Sequence, residues 1–546
     1  MKFKQFFTSY KENTPRISLQ LFLIFIGLFA GGVKIFLAIV YNLMLKDIKS
    51  TPVNIFIQLA ILSIFVIFFS SLLSYIQSRI TVIIEQKIQK RMQDELLDSH
   101  EKKDFEFLES EQSGEWITLL SEDVSTISTL FTRVILPTIA GGILFTTAIV
   151  VGAMFSWKLV IVIIICSLFS YFLPPIFSQK IEAAYNSKMN EKENINNTIL
   201  NILQLITTIK SFQYEDKSIL NFKKVYKQYA QQELAEVQYK AALKSVSIGT
   251  GFVVGTLWMI VGGFMISNNT LTLGAFTAFL MLNDFYGWPF STFPTLFSKY
   301  VQIKSSRERV ATFHQKGKSS LSPVPHKLLN EENEIQYKVR NLDFSYQGNN
   351  EKVLKNLTLA IPKGKKIGVI GQSGSGKSTF SKLLLGLYVP DNGSVQLINQ
   401  GTTYEGNNIF NHISYVPQVN VIFNGTIKEN INLGNMDFND NDIIKACKLA
   451  CANDFIQKLE NGYDTLVGSD SELHLSGGQV QRIAIARALL KKSEVYIFDE
   501  FTSSLDNLTE KKILDNLKEL SKTMIFVAHK KEVMDICDTI YDLSSK

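Results

Sequence analysis

Six stretches in the N-terminal half of this 546-residue chain are apolar for about 20 residues or more, the length needed to cross roughly 30 Å of hydrocarbon. They run over 17–45, 53–75, 130–155, 159–177, 246–267 and 273–296. A soluble fold has little use for six such helices, because each would need an apolar cover on every side. The sequence therefore predicts an α-helical membrane domain of six transmembrane helices. Composition agrees: 46% hydrophobic and 19% charged residues, with a mean hydropathy of +0.11, describe a membrane domain joined to a soluble one.

The connections alternate in character. Segments 46–52, 156–158 and 268–272 are short and carry little charge, whereas 76–129 and 178–245 are long and rich in lysine and glutamate. The positive-inside rule puts the long segments, and with them both termini, in the cytoplasm. Stretches 85–95 and 221–236 hold good helix formers with apolar residues at helical intervals, so the spans are expected to continue as helices well beyond the bilayer. Residues 1–16 are too polar for a signal peptide, so the first apolar stretch is expected to stay as a span in a bacterial cytoplasmic membrane. The net charge of +6 is mild, and its clustering between apolar stretches suits the lipid bilayer as a partner. No basic-aromatic surface points to nucleic acid. Cys447 and Cys451 lie one helical turn apart with nothing to complete a metal site, and all four cysteines read as reduced.

Near 316–330 the composition changes: Gly317, Pro323 and Pro325 break periodicity among serines and lysines. The expected division is a transmembrane domain over 1–315, a linker over 316–330 and a second domain over 331–546. In the last, short β-branched runs alternate with helical patterns, which argues an α/β cassette with a largely parallel sheet.

That cassette carries chemistry. Gly371-Gln-Ser373-Gly374-Ser375-Gly376-Lys377-Ser378-Thr379 follows an apolar strand and opens a helix. Glycines at this junction let backbone N–H groups wrap phosphates at the positive end of the helix. Lys377 is placed to reach the β- and γ-phosphates of ATP, and the Ser378 hydroxyl to bind Mg²⁺. A second apolar strand, 495–498, ends in Asp499 and Glu500. Asp499 is suited to hold Mg²⁺, directly or through water, and Glu500 to polarise the attacking water. Leu475-Ser476-Gly477-Gly478-Gln479 combines small residues with a helix start, about 100 residues after the phosphate loop.

Together these motifs resemble the ATP-binding cassette of ABC transporters, with Ser476–Gln479 as the signature sequence. The resemblance implies further roles. Tyr346 is similar to the aromatic that stacks on adenine, and Gln418 to the glutamine that senses Mg²⁺ and water. Asp506 closes a loop like the one through which two cassettes communicate, and His529 resembles the switch histidine on the γ-phosphate. The membrane half resembles the exporter branch: 105–124 and the region from 209 look like its two cytoplasmic coupling regions. Three departures stand out. Segment 468–474 differs from the usual pre-signature stretch, Phe501 replaces a small residue, and the closing strand and helix of the cassette are expected to be lacking.

A phosphate loop covers one side of a nucleotide, and the family closes the other side with the signature of a second cassette. The resemblance thus implies a dimer, first a homodimer and otherwise a heterodimer with a related half-transporter. ATP binding then biases an inward-facing to outward-facing equilibrium that exports a cargo. Two charges lie within spans, Lys34 and Asp284. At about 100° per residue Asp284 shares a stripe with Thr277, Ser291 and Thr295. Lys34 and Asp284 read equally as a polar patch in a substrate cavity or as a structural pair between helices. The cargo stays open among a small peptide, a hydrophobic or amphipathic compound and a lipid; an ATP-gated channel or sensor is the non-transport alternative.

Overall fold

A computed structural model describes residues 17–46, 53–110, 113–170, 172–315, 335–346, 351–372, 374–399, 402–433, 438–468, 471 and 473–545. The chain divides into two compact units. One comprises 1–101 and 110–317, the other 102–109 and 318–546.

Among its described residues the first unit consists of helices and the turns that join them. Its long helices are α1 (Ile17–Lys46), α2 (Val53–Glu101), α3 (Leu136–Ser170), α4 (Leu173–Gln204) and α5 (Glu215–Ser267). At 1.5 Å per residue, α2 and α5 reach about 74 and 80 Å, well over twice the hydrocarbon thickness. The charged segments expected to prolong the spans are therefore continuous with them. Among the described residues, four helical runs are long and apolar enough to cross a membrane. The third run, Ser113–Gln204, contains two of the apolar stretches, and the backbone leaves helical geometry at Ser156 between them (φ −160°, ψ 103°). The last apolar stretch is divided into short helices from α6 (Leu273–Met281) to α7 (Phe293–Gln315). Pro289 and Pro294 each remove a backbone donor there, which accounts for the breaks at Gly287 and Thr292. The connection at 46–52 falls almost wholly outside the described residues.

Packing in this unit follows the small-residue rule of membrane helices. A Cβ on Gly152 would lie 2.4 Å from the Tyr286 hydroxyl, so only glycine admits that ring. Tyr286 then donates to the Ala148 carbonyl at 3.2 Å. Trp258, Phe279, Leu159 and Ile163 complete the surrounding core. Further along the helices, buried charges are paired. Glu236 is held by Lys188 at 2.6 Å and Lys240 at 2.5 Å and accepts from Gln302. Asp123 pairs with Arg309, and the Tyr185 and Ser306 hydroxyls are 2.8 Å apart. Two π-helical turns, Leu119–Asp123 and Phe131–Ile135, precede α3.

Among its described residues the second unit has eleven strands: β1 (Ile335–Phe344), β2 (Leu354–Ile361), β3 (Lys366–Ile370), β4 (Asn392–Asn399), β5 (Thr402–Glu405), β6 (Ile413–Val416), β7 (Gly425–Thr426), β8 (Leu466–Val467), β9 (Val495–Asp499), β10 (Thr523–Val527) and β11 (Thr539–Asp542). β2-β1-β4-β5 form an antiparallel sheet, and β11-β3-β10-β9-β6 a parallel one. Strands β9 and β10 are buried at every residue, as a parallel sheet covered on both faces requires. β11 pairs with β3 from Thr539↔Ile367 to Asp542↔Ile370 and closes that edge. Phe501 is fully buried against Phe498 and Phe526, ring centroids 4.8 and 5.8 Å away, so the bulky residue fills a core position. Residues 102–109 also belong to this unit. Phe105 meets the Tyr388 ring edge-on, and Glu109 accepts from Lys382 at 2.5 Å and from Tyr388.

Candidate functional site

Four neighbouring strands of the parallel sheet end at one edge, and each delivers a predicted site residue there. β3 runs into the phosphate loop, β6 toward Gln418, β9 into Asp499 and Glu500, and β10 toward His529. The carboxyl ends of parallel strands are where open α/β sheets bind ligands.

The phosphate loop has the backbone its glycines allow. Gly374 and Gly376 sit at φ +85° and +90°, a region costly for any other residue. Gly376 then starts the helix α8 (Lys377–Leu384). The Lys377 ammonium donates to the Gly371 and Gln372 carbonyls at 2.8 and 3.0 Å, which folds it back over the loop. The buried Ser375 hydroxyl oxygen has no partner among the described residues, and Ser378 is exposed at the helix start. Ser373 lies outside the described residues. Tyr346, held edge-on by Phe344 and Tyr388, hydrogen-bonds Thr379 through its hydroxyl at 2.8 Å. That bond ties the aromatic to the loop, a link the sequence did not reveal.

Asp499 is almost fully buried. Burial pushes its carboxyl up; hydrogen bonds from Ser381 and Tyr415 pull the other way, and the Glu500 charge adds to the rise. The Tyr415 hydroxyl donates to it at 3.4 Å. Glu500 has φ +43°, left-handed for a non-glycine residue, and its N–H donates to the Val527 carbonyl at 2.8 Å. Strained backbone of this kind persists only where the surroundings fix it. Here it turns the carboxylate toward Gln418, whose amide donates to it at 2.6 Å, and places it 3.9 Å from His529 Nε2. Glu500, Gln418, His529 and Asp499 thus meet at one edge of the sheet.

The buried Asp499 carboxylate and the exposed Ser378 hydroxyl are oxygen donors of the kind a hard divalent cation takes, with water and phosphate oxygens as its other ligands. Among the described residues no cluster of three or more acidic, histidine or cysteine side chains forms a metal cage.

The signature residues form a helix cap. Ser476 caps α9 (Gly477–Leu490): its hydroxyl accepts from the Gln479 N–H at 3.3 Å, while the Gln479 side chain accepts from the Ser476 N–H at 2.8 Å. This reciprocal box satisfies two donors and leaves the glycine amides at the helix start. A Cβ on Gly478 would meet the Ser504 carbonyl oxygen at 2.8 Å, so the signature turn packs directly on the 503–506 loop. Gln481 accepts from the Ser504 N–H at 3.1 Å and pins it there. Asp506 ends that loop by capping α10 (Asn507–Glu519), accepting from Thr509 N–H at 2.9 Å.

A helical membrane unit followed by a cassette with this phosphate-site geometry defines a membrane transport ATPase. Comparison with known proteins gives the family. The ABC transporter transmembrane region matches residues 21–290, and the ABC transporter ATP-binding family matches 354–503. A Rickettsia felis protein whose name describes an export ATP-binding/permease protein is 30% identical over 445 residues, covering 80% of this chain and 76% of its own. The lactococcin-A transport/processing ATP-binding protein of Lactococcus lactis is 32% identical over 376 residues, 67% of this chain and 51% of its own. A bacterial Atm1-family ABC exporter with ATP bound has the same fold, with a TM-score of 0.87 over 97% of this chain and 94% of that one at 21% identity. The chain belongs to the ABC transporter family. It is an exporter-type half-transporter, an integral membrane protein whose ATP-binding region marks it as a transport ATPase.

Proposed function

We propose that two copies of this chain form an exporter that couples ATP hydrolysis to alternating access, moving a small peptide or another amphipathic compound out across a bacterial cytoplasmic membrane. The observation that carries the reading is Glu500, held at the sheet edge by Gln418 at 2.6 Å and flanked by His529 and the buried Asp499. In this reading residues 1–315 are the transmembrane domain with six spans, 316–330 the linker and 331–546 the cassette, with both termini cytoplasmic.

Gly371, Ser373, Gly374, Ser375, Gly376, Lys377 and Thr379 hold the phosphates, and Tyr346 offers its ring to the adenine. Ser378, Asp499 and Gln418 hold Mg²⁺, which supplies charge neutralisation of the phosphates when bound. Glu500 orients and deprotonates the attacking water, and Gln418 fixes the rotamer of Glu500. His529 donates toward the γ-phosphate. Ser476, Gly477, Gly478 and Gln479 of the second chain close each site, and Asp506 keeps the adjoining loop in place. Lys34 and Asp284 face the cargo. Peptide cargo draws support from the name of the lactococcin-A relative.

The composite site has a direct test. Lys377→Ala and Gly478→Ala each abolish hydrolysis alone. Co-expressed, they form mixed dimers in which one site keeps both intact halves, and a measurable fraction of activity returns. Absence of any recovery in isolated mixed dimers overturns the two-chain site.

A further inference from the structure

In the membrane unit, the Lys34 ammonium lies 2.6 Å from an Asp284 carboxylate oxygen. Among the described residues each is the other's only ionic partner. The pair is not packed between helices: the side chains are 56% and 69% exposed. The helix geometry says which surface they occupy. On α1 the exposed apolar residues Phe22, Phe25, Phe29, Phe36 and Leu43 form one stripe. At about 100° per residue, Lys34 points nearly opposite to it. The phenyl stripe suits lipid; the opposite face carries the charge. On the last apolar stretch, Asp284 sits with Ser291 and Thr295 on an exposed polar stripe. An apolar cavity of about 300 Å³ borders that stripe at Ser291 and is lined by Phe252, Trp258, Tyr286 and Phe290.

We propose that this pair reads the charge of the cargo, selecting a zwitterion with an apolar body. This rests on the export reading above and names the substrate class of its cavity. An exposed ion pair is weak because water competes with both partners, so it opens at little cost. A zwitterion re-pairs both members when it enters: its cation meets Asp284 and its anion meets Lys34, while its apolar body takes the cavity. A cargo with one charge re-pairs one member and leaves the other to water alone, so it gains one ionic contact where the zwitterion gains two. Net neutrality of the site therefore selects net neutrality in the ligand. A peptide with free ends and a phosphatidylethanolamine headgroup both have this chemistry.

The test uses the full-length protein in phosphatidylglycerol vesicles, which hold no zwitterionic lipid. One arm measures ATP-dependent uptake of an apolar tripeptide with free ends, N-acetylated, C-amidated or blocked at both ends. The other measures flipping of an acyl-labelled phosphatidylethanolamine and its N-acetylated form. The expected result is at least a fivefold preference for the uncapped zwitterion in one arm, and that arm identifies the source. Asp284→Asn removes discrimination against the N-acetylated form, and Lys34→Gln removes it against the amidated one. The double exchange Lys34→Asp with Asp284→Lys restores the preference for the zwitterion and guards against misfolding of the single variants. Equal transport of capped and uncapped forms, or no transport of any form by the wild type, overturns the inference. Basal ATP hydrolysis, measured in the same vesicles, reports separately on the export reading: its absence would sink that reading as well.

Discussion

Alanine at Gly478 and at the neighbouring Gly477 should affect the protein in different ways, because their contacts differ by just under 1 Å. A Cβ at 478 falls 2.8 Å from the Ser504 carbonyl oxygen, a backbone atom that cannot rotate away. A Cβ at 477 meets Ser504 side-chain atoms at 3.6 Å, an ordinary contact. Forced overpacking costs about 1–3 kcal/mol, and the better helix propensity of alanine returns at most about 1 kcal/mol. Gly478→Ala is therefore expected to destabilise the cassette by about 1–2 kcal/mol, a Tm shift of roughly 2–8 °C at its size. Gly477→Ala should leave Tm within about 1 °C of the wild type, because surface changes without a clash cost little. In the proposed dimer both add a methyl to the helix start that faces the second cassette's nucleotide, so both should lower ATP turnover. A displacement of about 1 Å costs on the order of 100-fold in rate. Scanning calorimetry and a phosphate-release assay on each variant separate the two effects. Equal Tm losses would refute the steric argument, and wild-type turnover in both would refute the role of the signature turn.

Burial raises the Asp499 carboxyl above its ordinary 3.8, so its contribution to stability is full only below that value and is lost as pH rises through the folded value. At neutral pH the buried charge is a liability, and Asp499→Asn should raise Tm without nucleotide. The same variant should lose most of the Mg²⁺·ATP stabilisation, which for the wild type is about 2.7 kcal/mol at ligand 100-fold above Kd. Phe501→Ala opens a cavity among Phe498 and Phe526 and should cost about 3–5 kcal/mol, read as a large Tm drop of the cassette. His412 is held neutral by burial, with Lys491 adding to the depression below its ordinary 6.5. Its unfolded form binds the proton first, so stability should fall as pH drops below about 6.5, and His412→Phe should flatten that part of a Tm-versus-pH curve.

The chemistry of the cassette was legible because it is local. Gly374, Gly376 and Lys377 sit within a few residues of one another, and Asp499 and Glu500 are adjacent, so strand, turn and site occupy one window of sequence. The spans were legible because their apolar period is unbroken over about 20 residues. Other features depend on partners far apart in the chain. Asp123 meets Arg309 across 186 residues, and Glu109 meets Lys382 across 273. Asp123 is buried, yet its local sequence does not differ from that of an exposed carboxylate. The bond from Tyr346 to Thr379 and the strained φ of Glu500 are products of tertiary packing, which no residue pattern encodes. For Lys34 and Asp284 two readings stood level; the residues pair, and the pair is exposed.

The central claim is that Glu500 drives turnover of ATP held by the loop around Lys377. Phosphate release by the purified protein in lipid, for the wild type and Glu500→Gln, tests it most directly. The account predicts Mg²⁺-dependent turnover that falls by about 10²–10⁴-fold in the variant, while ATP still raises its Tm as much as it does for the wild type. Undiminished hydrolysis by Glu500→Gln would contradict it.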